Sequence, residues 1–235
     1  MVLKPSEAQT FYDRFGAKQG TQGFYEDRAL DDLIANAGFG EATSVFEFGC
    51  GTGRLAARLL EQHLSAGATY SGCDLSATMV GLAKRRLAIY EQRARVVQSD
   101  GAVKFPFSDH SVDRVVTTYV LDLLSESAIE QVFLEAHRIL KPGGKFCVTG
   151  LTSGTTVLSW IISSLWRAVF HLHASLVGGC RPLHLSRFVD TENWQLEHRN
   201  VVIQFGVPSE VVVAAAKLPY NKAPTRMPQG GVIEP

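Results

Sequence analysis

A glycine-rich junction between a strand-like run and a helix constrains this sequence most. Residues 45–53 read Val-Phe-Glu-Phe-Gly-Cys-Gly-Thr-Gly, and a helix is expected from Arg54 to about His63. Alternate glycines leave backbone N–H groups accessible at a helix N-terminus, where a ligand can approach closely. Dinucleotide-binding turns have Gly-x-Gly-x-x-Gly instead. Because Glu47 would also repel a pyrophosphate, the loop favours a nucleoside with a zwitterionic or cationic end over a phosphate.

The composition is typical of one globular α/β domain. The 235 residues, 46% of them hydrophobic, suffice for a full core. The 23 basic and 23 acidic side chains cancel, so the usual electrostatic footprint of a nucleic-acid-binding protein is absent. Four widely spaced cysteines show no metal-ligand pattern, so we expect reduced thiols and no metal. Residues 1–10 contain no apolar leader segment, and the expected location is the cytoplasm.

Strand-like and helical runs alternate from residue 44 to about residue 151. The expected strands are Ser44–Phe48, Thr69–Cys73, Arg95–Gln98, Val112–Val120 and Lys145–Leu151. The expected helices are Arg54–His63, Ala77–Tyr90 and Ala128–Leu140. A capping box of Ser127 and Glu130 is expected to start the last helix, and residues 141–144 to end it. This alternation predicts right-handed crossovers and a parallel sheet covered on both faces.

The pattern changes after residue 151. Residues 155–178 form a long apolar segment that is expected to be helical. Val201–Phe205 and Glu210–Ala216 are expected to be strands that pair antiparallel at the sheet edge, joined by residues 206–209. The tail, residues 220–235, is rich in Pro and Gly and is expected to be poorly ordered.

Two carboxylates follow the second and third expected strands. Asp74 lies 25 residues after Gly49 and can accept hydrogen bonds from a ribose diol beside the glycine loop. Asp100 follows the next strand at the same sheet edge and suits an exocyclic amine. Ligands of open parallel sheets bind at these carboxyl ends, near the point where the strand order reverses. Together with Glu47, these acids predict a ligand that has an amino group, a diol and an adenine.

These segments resemble the class I S-adenosylmethionine-dependent methyltransferases, in particular those that act on small molecules. The resemblance covers residues 45–151. It rests on five segments, namely residues 47–53, Asp74-Leu75-Ser76, Ser99-Asp100-Gly101, residues 113–121 and Leu140–Gly144. It implies an α/β, three-layer Rossmann-like fold with a seven-stranded, mostly parallel sheet and an antiparallel C-terminal hairpin. It also implies S-adenosylmethionine as cofactor, with S-adenosylhomocysteine as product.

The resemblance implies a role for each cofactor-binding residue. Glu47 and the backbone of residues 49–53 would hold the methionine part, Asp74 the ribose hydroxyls and Asp100 the adenine amine. The full implied set is Tyr12, Glu47, Gly49, Cys50, Gly51, Gly53, Asp74, Leu75, Met79, Ser99, Asp100, Gly101, Thr118 and Tyr119.

The other members of this set have narrower roles. Leu75 or Met79 would pack on the adenine, and Gly101 would offer a backbone N–H. Thr118 and Tyr119 would lie beside the sulfonium. Tyr12 lies in a segment similar to the N-terminal stretch that small-molecule members fold over the cofactor.

Several of these residues also have simpler interpretations. The glycines could form only a tight strand–helix turn, and Asp74 could be a helix N-cap. Met79 fits a core position by its helical spacing, and Tyr119 fits either a ligand pocket or core packing.

Substrate residues are less defined than cofactor residues. Displacement at a sulfonium depends mainly on alignment in a dry pocket, and a base is needed only if the acceptor must lose a proton. The candidate catalytic residues are Tyr119, His171 and His184, with His173 and Asp122 as further candidate bases. The stretch 117–122 lacks the Asn/Asp-Pro-Pro-aromatic motif of enzymes that methylate amino groups of DNA bases.

The apolar segment 155–178 is the main indication of the acceptor. Polar residues at every fourth position, Ser159, Ser163, Arg167, His171 and Ser175, form a stripe on an otherwise apolar helix. The first interpretation is an inserted lid over the acceptor pocket. The second is peripheral contact with a membrane interface, and the third is an ordinary core or dimer helix. We therefore expect a small hydrophobic acceptor, such as a quinone precursor, a lipid or an aromatic natural product, and no nucleic acid.

The expected layout is a single domain over residues 1–219. It comprises an N-terminal cap (1–43), a cofactor-binding core (44–151), an acceptor-side insertion (152–200) and the terminal hairpin (201–219), followed by the tail (220–235). The alternative function is a cofactor-binding regulatory protein of the same fold without turnover. The sequence is compatible with a monomer or a homodimer, and it does not define the acceptor atom.

Overall fold

The computed structural model describes residues 5–16, 23–173 and 179–217. The helices are α1 (Pro5–Phe15), α2 (Gly23–Ala37), α3 (Arg54–Gln62), α4 (Ala77–Arg86), α5 (Glu126–Ile139) and α6 (Val157–His173). The strands are β1 (Ser44–Phe48), β2 (Thr69–Asp74), β3 (Ala94–Gln98), β4 (Val112–Thr118), β5 (Leu140–Leu151), β6 (Trp194–Gln204) and β7 (Val207–Ala216).

The strands form one sheet in the order β3-β2-β1-β4-β5-β7-β6. Strands β1 to β5 pair in parallel, whereas β7 pairs antiparallel with both β5 and β6. The order runs outward in both directions from the β1–β4 pair, which is therefore the point of reversal where ligands of such sheets bind. This topology confirms the predicted α/β fold with a mostly parallel, seven-stranded sheet and a C-terminal antiparallel hairpin.

Apolar side chains cover both faces of the sheet, because neighbouring residues of a strand point to opposite sides. Val45 and Cys147 belong to the core beneath α2, α3 and α4. Phe46 and Phe146 belong to the core beneath α5. All ten residues of β7 are buried, as expected for a central strand covered on both faces. The result is the predicted three-layer arrangement.

Most elements between residues 44 and 151 start close to their predicted positions, but β5 begins at Leu140 instead of Lys145 and includes residues 141–144, which were predicted as the end of the preceding helix. Helix α5 also begins earlier than predicted. Its N-cap is Ser125, whose hydroxyl accepts a hydrogen bond from the Ala128 N–H at 3.2 Å. The predicted capping box of Ser127 and Glu130 is therefore wrong, and the helix begins at Glu126. Helix α4 ends at Arg86, before its predicted end at Tyr90, and a short 3-10 turn follows.

The terminal hairpin has longer strands and a shorter turn than predicted. Only Phe205 and Gly206 separate β6 from β7. Pro208 was expected in the loop, but it lies in β7, where its carbonyl accepts a hydrogen bond from the Thr152 N–H at 3.0 Å. Because β6 begins at Trp194, the hairpin starts before the expected boundary at residue 201. The expected tail, residues 220–235, lies outside the described residues.

Candidate functional site

A cavity of about 210 Å³ lies at the carboxyl ends of β1, β2 and β4, beside the point where the strand order reverses. All the predicted cofactor-binding residues except Gly53 and Asp100 line it. The lining residues after β2 and β3 lie on one side of β1, which we call the donor side. Those at the end of β4, with residues from α1, α2 and the segment after α6, lie on the other, which we call the acceptor side.

The glycine loop is held against the end of β2 by its backbone. The N–H groups of Gly49 and Cys50 both donate to the carbonyl of Cys73, each at 2.9 Å. Gly49 has a φ of +77°, and a Cβ at this position would lie 2.3 Å from Cγ2 of Val120. Only glycine therefore lets the loop pass this close to Val120, which follows Tyr119 at the end of β4.

Gly53 has a different role from the one the sequence implied. It is the N-cap of α3 with a φ of +71°. A Cβ here would lie 3.1 Å from the Cβ of Ala83 on α4, and Gly53 does not line the cavity. This glycine allows two helices to pack closely, so it supports the loop rather than a ligand.

Asp74 organises the loop from the end of β2. Its Oδ2 accepts the Gly51 N–H at 2.8 Å and its Oδ1 accepts the Ser76 N–H at 2.9 Å. Burial raises the pKa of this carboxyl, while these backbone hydrogen bonds oppose the rise. The N-cap of α4 is Ser76, whose hydroxyl accepts the Met79 N–H at 3.2 Å. The alternative that Asp74 is the N-cap is therefore wrong.

Glu47 is a buried acid on the cavity wall. Its Oε2 accepts a hydrogen bond from the Tyr70 hydroxyl at 2.6 Å. Burial raises the pKa of Glu47 to about 7, and Asp74 contributes to the rise, whereas the Tyr70 hydrogen bond opposes it. In the absence of a cationic neighbour this side chain is therefore close to half protonated at neutral pH.

The end of β3 differs from the expectation. Asp100 is exposed and does not line the cavity, and its Oδ1 accepts the Ala102 N–H at 2.9 Å. Gly101 lines the cavity, but its N–H donates to the Ser99 hydroxyl at 3.0 Å. In this conformation both groups that were expected to bind the adenine are engaged in the turn itself.

The acceptor side is built from aromatic residues that are far apart in sequence. The rings of Tyr25 and Tyr119 meet edge to face with centroids 5.7 Å apart. The Tyr119 hydroxyl lies 2.9 Å from the Ser209 hydroxyl, and its backbone has a φ of +56°, which is rare outside glycine. Tyr12 contributes a third ring and lies 3.9 Å from the Cys180 sulfur.

The burial of Tyr119 argues against a role as a base. Burial raises the pKa of Tyr119 above its ordinary value, so the phenol stays protonated at neutral pH. Glu26 is the carboxylate on this side, and burial raises its pKa, while an ion pair with Arg54 at 3.1 Å opposes the rise. Both Glu26 and Arg54 line the cavity.

Sequence reasoning missed much of this lining. The missed residues are Tyr25, Glu26, Leu30, Phe48, Arg54, Leu55, Cys73, Val103, Val120, Leu123, Leu124 and Cys180. Arg54 was expected only as the first residue of a helix. No local pattern marks Tyr25, Glu26 or Cys180, because only the tertiary fold brings them together.

The histidine candidates whose side chains the structure describes do not line the cavity. His184 is exposed, and its Nδ1 lies 3.5 Å from the Thr152 hydroxyl. The side chain of His171 lies outside the described part of the structure, and His173 is exposed on α6. His184 therefore does not line the cavity, and its catalytic role stays a prediction.

Asp122 lies behind the acceptor side without lining it. The side chain is buried, and burial raises its pKa to about 7. Its Oδ2 accepts a long hydrogen bond of 3.4 Å from the Leu151 N–H, and within the described residues Oδ1 has no hydrogen-bond partner.

Helix α6 lies beside the acceptor side and does not cover the cavity. None of the described residues from 152 to 173 lines the cavity, so the predicted lid is not observed. The helix contacts the site indirectly, because the Trp166 Nε1–H donates to the Cys180 carbonyl at 3.1 Å. Two members of the predicted polar stripe, Ser159 and Ser163, are buried, whereas Arg167 is exposed.

Comparison with known proteins shows which part of this chain is similar to a known family. Residues 45–144, from β1 into β5, match the family described as "Methyltransferase domain". The matched segment contains the glycine loop together with Glu47, Asp74 and Asp100. Residues 45–144 are therefore similar to a methyltransferase domain, and the sheet has the topology of the Rossmann-like methyltransferase fold.

Two curated relatives and one solved structure illustrate the range of similar proteins. A tRNA N(3)-methylcytidine methyltransferase of Drosophila melanogaster is 27% identical over 150 residues, which cover 59% of this chain and 46% of that protein. An uncharacterised protein of Haemophilus influenzae is 33% identical over 144 residues, which cover 61% of this chain and 55% of that protein. The chain thus spans about half the length of these relatives.

The solved structure is a geranyl diphosphate C-methyltransferase of Streptomyces coelicolor in complex with Mg²⁺, geranyl-S-thiolodiphosphate and S-adenosyl-L-homocysteine. It aligns with a TM-score of 0.62 at 14% identity, over 81% of this chain and 76% of that one. At this identity the likeness establishes the fold.

Proposed function

We propose that this protein transfers a methyl group from S-adenosylmethionine to a small, largely apolar acceptor. The observation that carries the proposal is the meeting of the glycine loop, Glu47 and Asp74 on one cavity wall within the segment that is similar to a methyltransferase domain. The residues fit the cofactor chemically. They combine a backbone cradle that a Cβ would fill at Gly49 with a buried carboxylate and a half-buried carboxylate.

On the donor side, each acid has capacity for a different part of the cofactor. An ammonium group beside Glu47 would favour the carboxylate form and lower the pKa that burial has raised. Each oxygen of Asp74 already accepts one backbone N–H, and each retains a lone pair for a ribose hydroxyl. Met79 and Leu75 offer apolar contact for an adenine on the same wall.

When bound, S-adenosylmethionine supplies a methyl group on a positively charged sulfur, already activated for displacement. The task of the chain's own residues is then to align the acceptor and exclude water. Tyr12, Tyr25, Tyr119 and Leu124 form a wall suited to an apolar acceptor. Where the acceptor loses a proton, Glu26 is the carboxylate on this side that would take it.

A cytosine base in tRNA is the second candidate acceptor. Relatives named as tRNA N(3)-methylcytidine methyltransferases favour it, and tyrosine rings can stack on an extruded base. The balanced charge of 23 basic and 23 acidic side chains favours the small acceptor, because proteins that bind tRNA usually carry an excess of positive charge.

The first test is ligand binding to the full chain, measured by calorimetry. S-adenosylhomocysteine should bind and raise the thermal midpoint, whereas NAD(H) should do neither. Binding of NAD(H) without binding of S-adenosylhomocysteine would overturn the proposal.

The second test is transfer from S-adenosylmethionine that carries a labelled methyl group. The protein is incubated separately with an organic-solvent extract of cells and with total tRNA. Label in the organic extract supports the small acceptor, and label on tRNA supports the second candidate. Tight cofactor binding with no label in either arm would favour the regulatory alternative without turnover.

A further inference from the structure

Helix α6 has its apolar side chains on the outside. Val157, Leu158, Ile161, Leu165 and Leu172 are between 51% and 79% exposed. Surface helices of globular proteins normally turn such residues toward the core and polar residues toward water. Here the arrangement is reversed in part, because the buried positions include Ser159 and Ser163 beside Phe170.

Local hydrogen bonds fix this orientation. Ser159 and Thr156 cap the start of the helix reciprocally: the Ser159 hydroxyl accepts the Thr156 N–H at 3.0 Å, and the Thr156 hydroxyl accepts the Ser159 N–H at 3.3 Å. The Ser163 hydroxyl accepts the Gly154 N–H at 3.0 Å and donates to the Trp160 carbonyl at 3.1 Å. The serines are thus needed against the preceding loop, and the apolar side must face outward.

The apolar surface continues onto the tip of the hairpin. Phe205, in the β6–β7 turn, is 75% exposed. The turn packs on α6, since a Cβ at Gly206 would lie 2.3 Å from Cδ1 of Ile162. We call the exposed side chains of Val157, Leu158, Ile161, Leu165, Leu172 and Phe205 the α6 face.

The chain segment that contains α6 carries no acidic side chain. Residues 141–189 contain no Asp or Glu, but they include two lysines, three arginines and three histidines. Arg167 and Trp160 are exposed along one flank of the face, and the Arg167 guanidinium donates to the Ser153 hydroxyl at 2.8 Å. Arginine and tryptophan beside aliphatic side chains are typical of helices that lie in a lipid headgroup region.

From these observations we infer that the α6 face docks onto a lipid surface that carries anionic headgroups. The aliphatic face would enter the acyl boundary, and Trp160 and Arg167 would lie among the headgroups. The helix lies on the surface rather than through it. It has 17 residues, and within the described part of the chain no helix is long and apolar enough to cross a membrane.

Docking in this orientation has a consequence for the cavity. Trp166 of α6 donates a hydrogen bond to the carbonyl of Cys180, and Cys180 lines the acceptor side. The face therefore places the acceptor side next to the lipid surface. The inference itself rests on the α6 face and does not depend on the proposed methyl transfer.

Vesicle flotation with the full chain tests the inference. We expect binding to vesicles of phosphatidylcholine mixed with phosphatidylglycerol, at least tenfold weaker binding to phosphatidylcholine alone, and a blue shift of tryptophan emission on binding. The variant Ile161→Ser/Leu165→Ser should lose at least tenfold in binding, and Arg167→Gln should lose affinity only for the anionic vesicles. The matched control is Ile89→Ser, because Ile89 is 83% exposed on the turn after α4.

Three outcomes would overturn the inference. The first is no binding of the parent chain to either vesicle. The second is a dimer in analytical ultracentrifugation that Ile161→Ser/Leu165→Ser dissociates, without lipid binding, which would assign the face to a second copy. The third is binding only after truncation at Lys217, which would assign it to residues 218–235. Circular dichroism checks the fold of each variant, and Leu165→Ser alone replaces the double variant if that variant unfolds.

Discussion

The donor side and the acceptor side of the cavity are built in different ways. On the donor side, the ligand-facing groups are backbone of the glycine loop and acids at the ends of β1 and β2. On the acceptor side, side chains converge from α1, α2, the end of β4 and residue 180. The first kind of site depends on local chain geometry, and the second depends on long-range packing. The two sides should therefore respond differently to substitution.

The largest expected effect is the loss of Asp74. In Asp74→Ala the N–H groups of Gly51 and Ser76 lose their acceptor, and the ribose hydroxyls lose theirs. Hydrogen bonds to a charged group contribute about 1.5–3 kcal/mol, so affinity for S-adenosylhomocysteine should fall roughly 10- to 100-fold. Calorimetry measures this change.

Asp100→Ala is the matched control for that substitution. Its side chain is exposed and bonded within its own turn, so the affinity should stay nearly unchanged. Equal losses in the two variants would restore the adenine role that the sequence implied for Asp100.

The second effect concerns pH and the buried acids. Burial raises the pKa of Glu47 from 4.5 to about 7, so ionisation destabilises the free protein as pH rises through this interval. At pH 8, Glu47→Gln should raise stability by on the order of 2 kcal/mol, or the thermal midpoint by roughly 4–8 °C. At pH 4 the gain should vanish, and cofactor affinity should be lost at both pH values. Thermal melts and calorimetry give the two readouts.

Asp122→Asn separates stability from binding. The pKa of Asp122 is also raised to about 7, but this residue does not line the cavity. The variant should therefore gain stability at pH 8 and keep its cofactor affinity. A parallel loss of affinity would place Asp122 in the site.

The third effect is structural and comes from the glycine loop. Gly53→Ala combines a φ of +71° with a contact of 3.1 Å to the Cβ of Ala83, so it should cost about 1–3 kcal/mol in free energy of unfolding. Gly143→Ala has a similar φ of +74° with nothing within 4 Å, and should cost only the backbone part, about 1 kcal/mol. Denaturant titration compares them, and equal costs would show that the contact to α4 is irrelevant.

The smallest expected effect is on the acceptor side. Tyr25→Leu removes an edge-to-face contact with Tyr119 that contributes about 0.5–1.5 kcal/mol. We expect the KM for the acceptor to rise by up to about tenfold while affinity for S-adenosylhomocysteine stays the same. A loss of cofactor affinity instead would mean that the two sides are not separate.

The contrast between the two sides also explains what the sequence could predict. Gly49, Glu47 and Asp74 are recognisable because the strand, the turn and the acid at its end follow one another along the chain. Tyr25 and Cys180 are brought together only by packing, so no spacing in the sequence predicts their place in the site. Asp100 and the Gly101 N–H were predicted at the right sheet edge, but their hydrogen bonds within the turn depend on rotamers and dihedrals that a pattern does not contain.

Helix α6 shows a different limit. Its period was recognisable, and the predicted stripe does exist at Ser159 and Ser163. The direction of the stripe could not be predicted. Periodicity gives the relative positions of the side chains, but it does not show which of them face the core. The reciprocal cap between Thr156 and Ser159 fixes which side of the helix faces the core.

Tyr119 keeps a left-handed backbone at the end of β4, at a cost of roughly 1–2 kcal/mol that glycine would avoid. Its N–H still reaches the Thr149 carbonyl at 2.7 Å, so the chain stays in the sheet as it bends. An engineer who scans this protein for thermostabilising replacements would be drawn to glycine at position 119. That exchange would relax the main chain, but it would also remove the ring that packs against Tyr25. The protein would become more stable and lose an aromatic wall of its cavity.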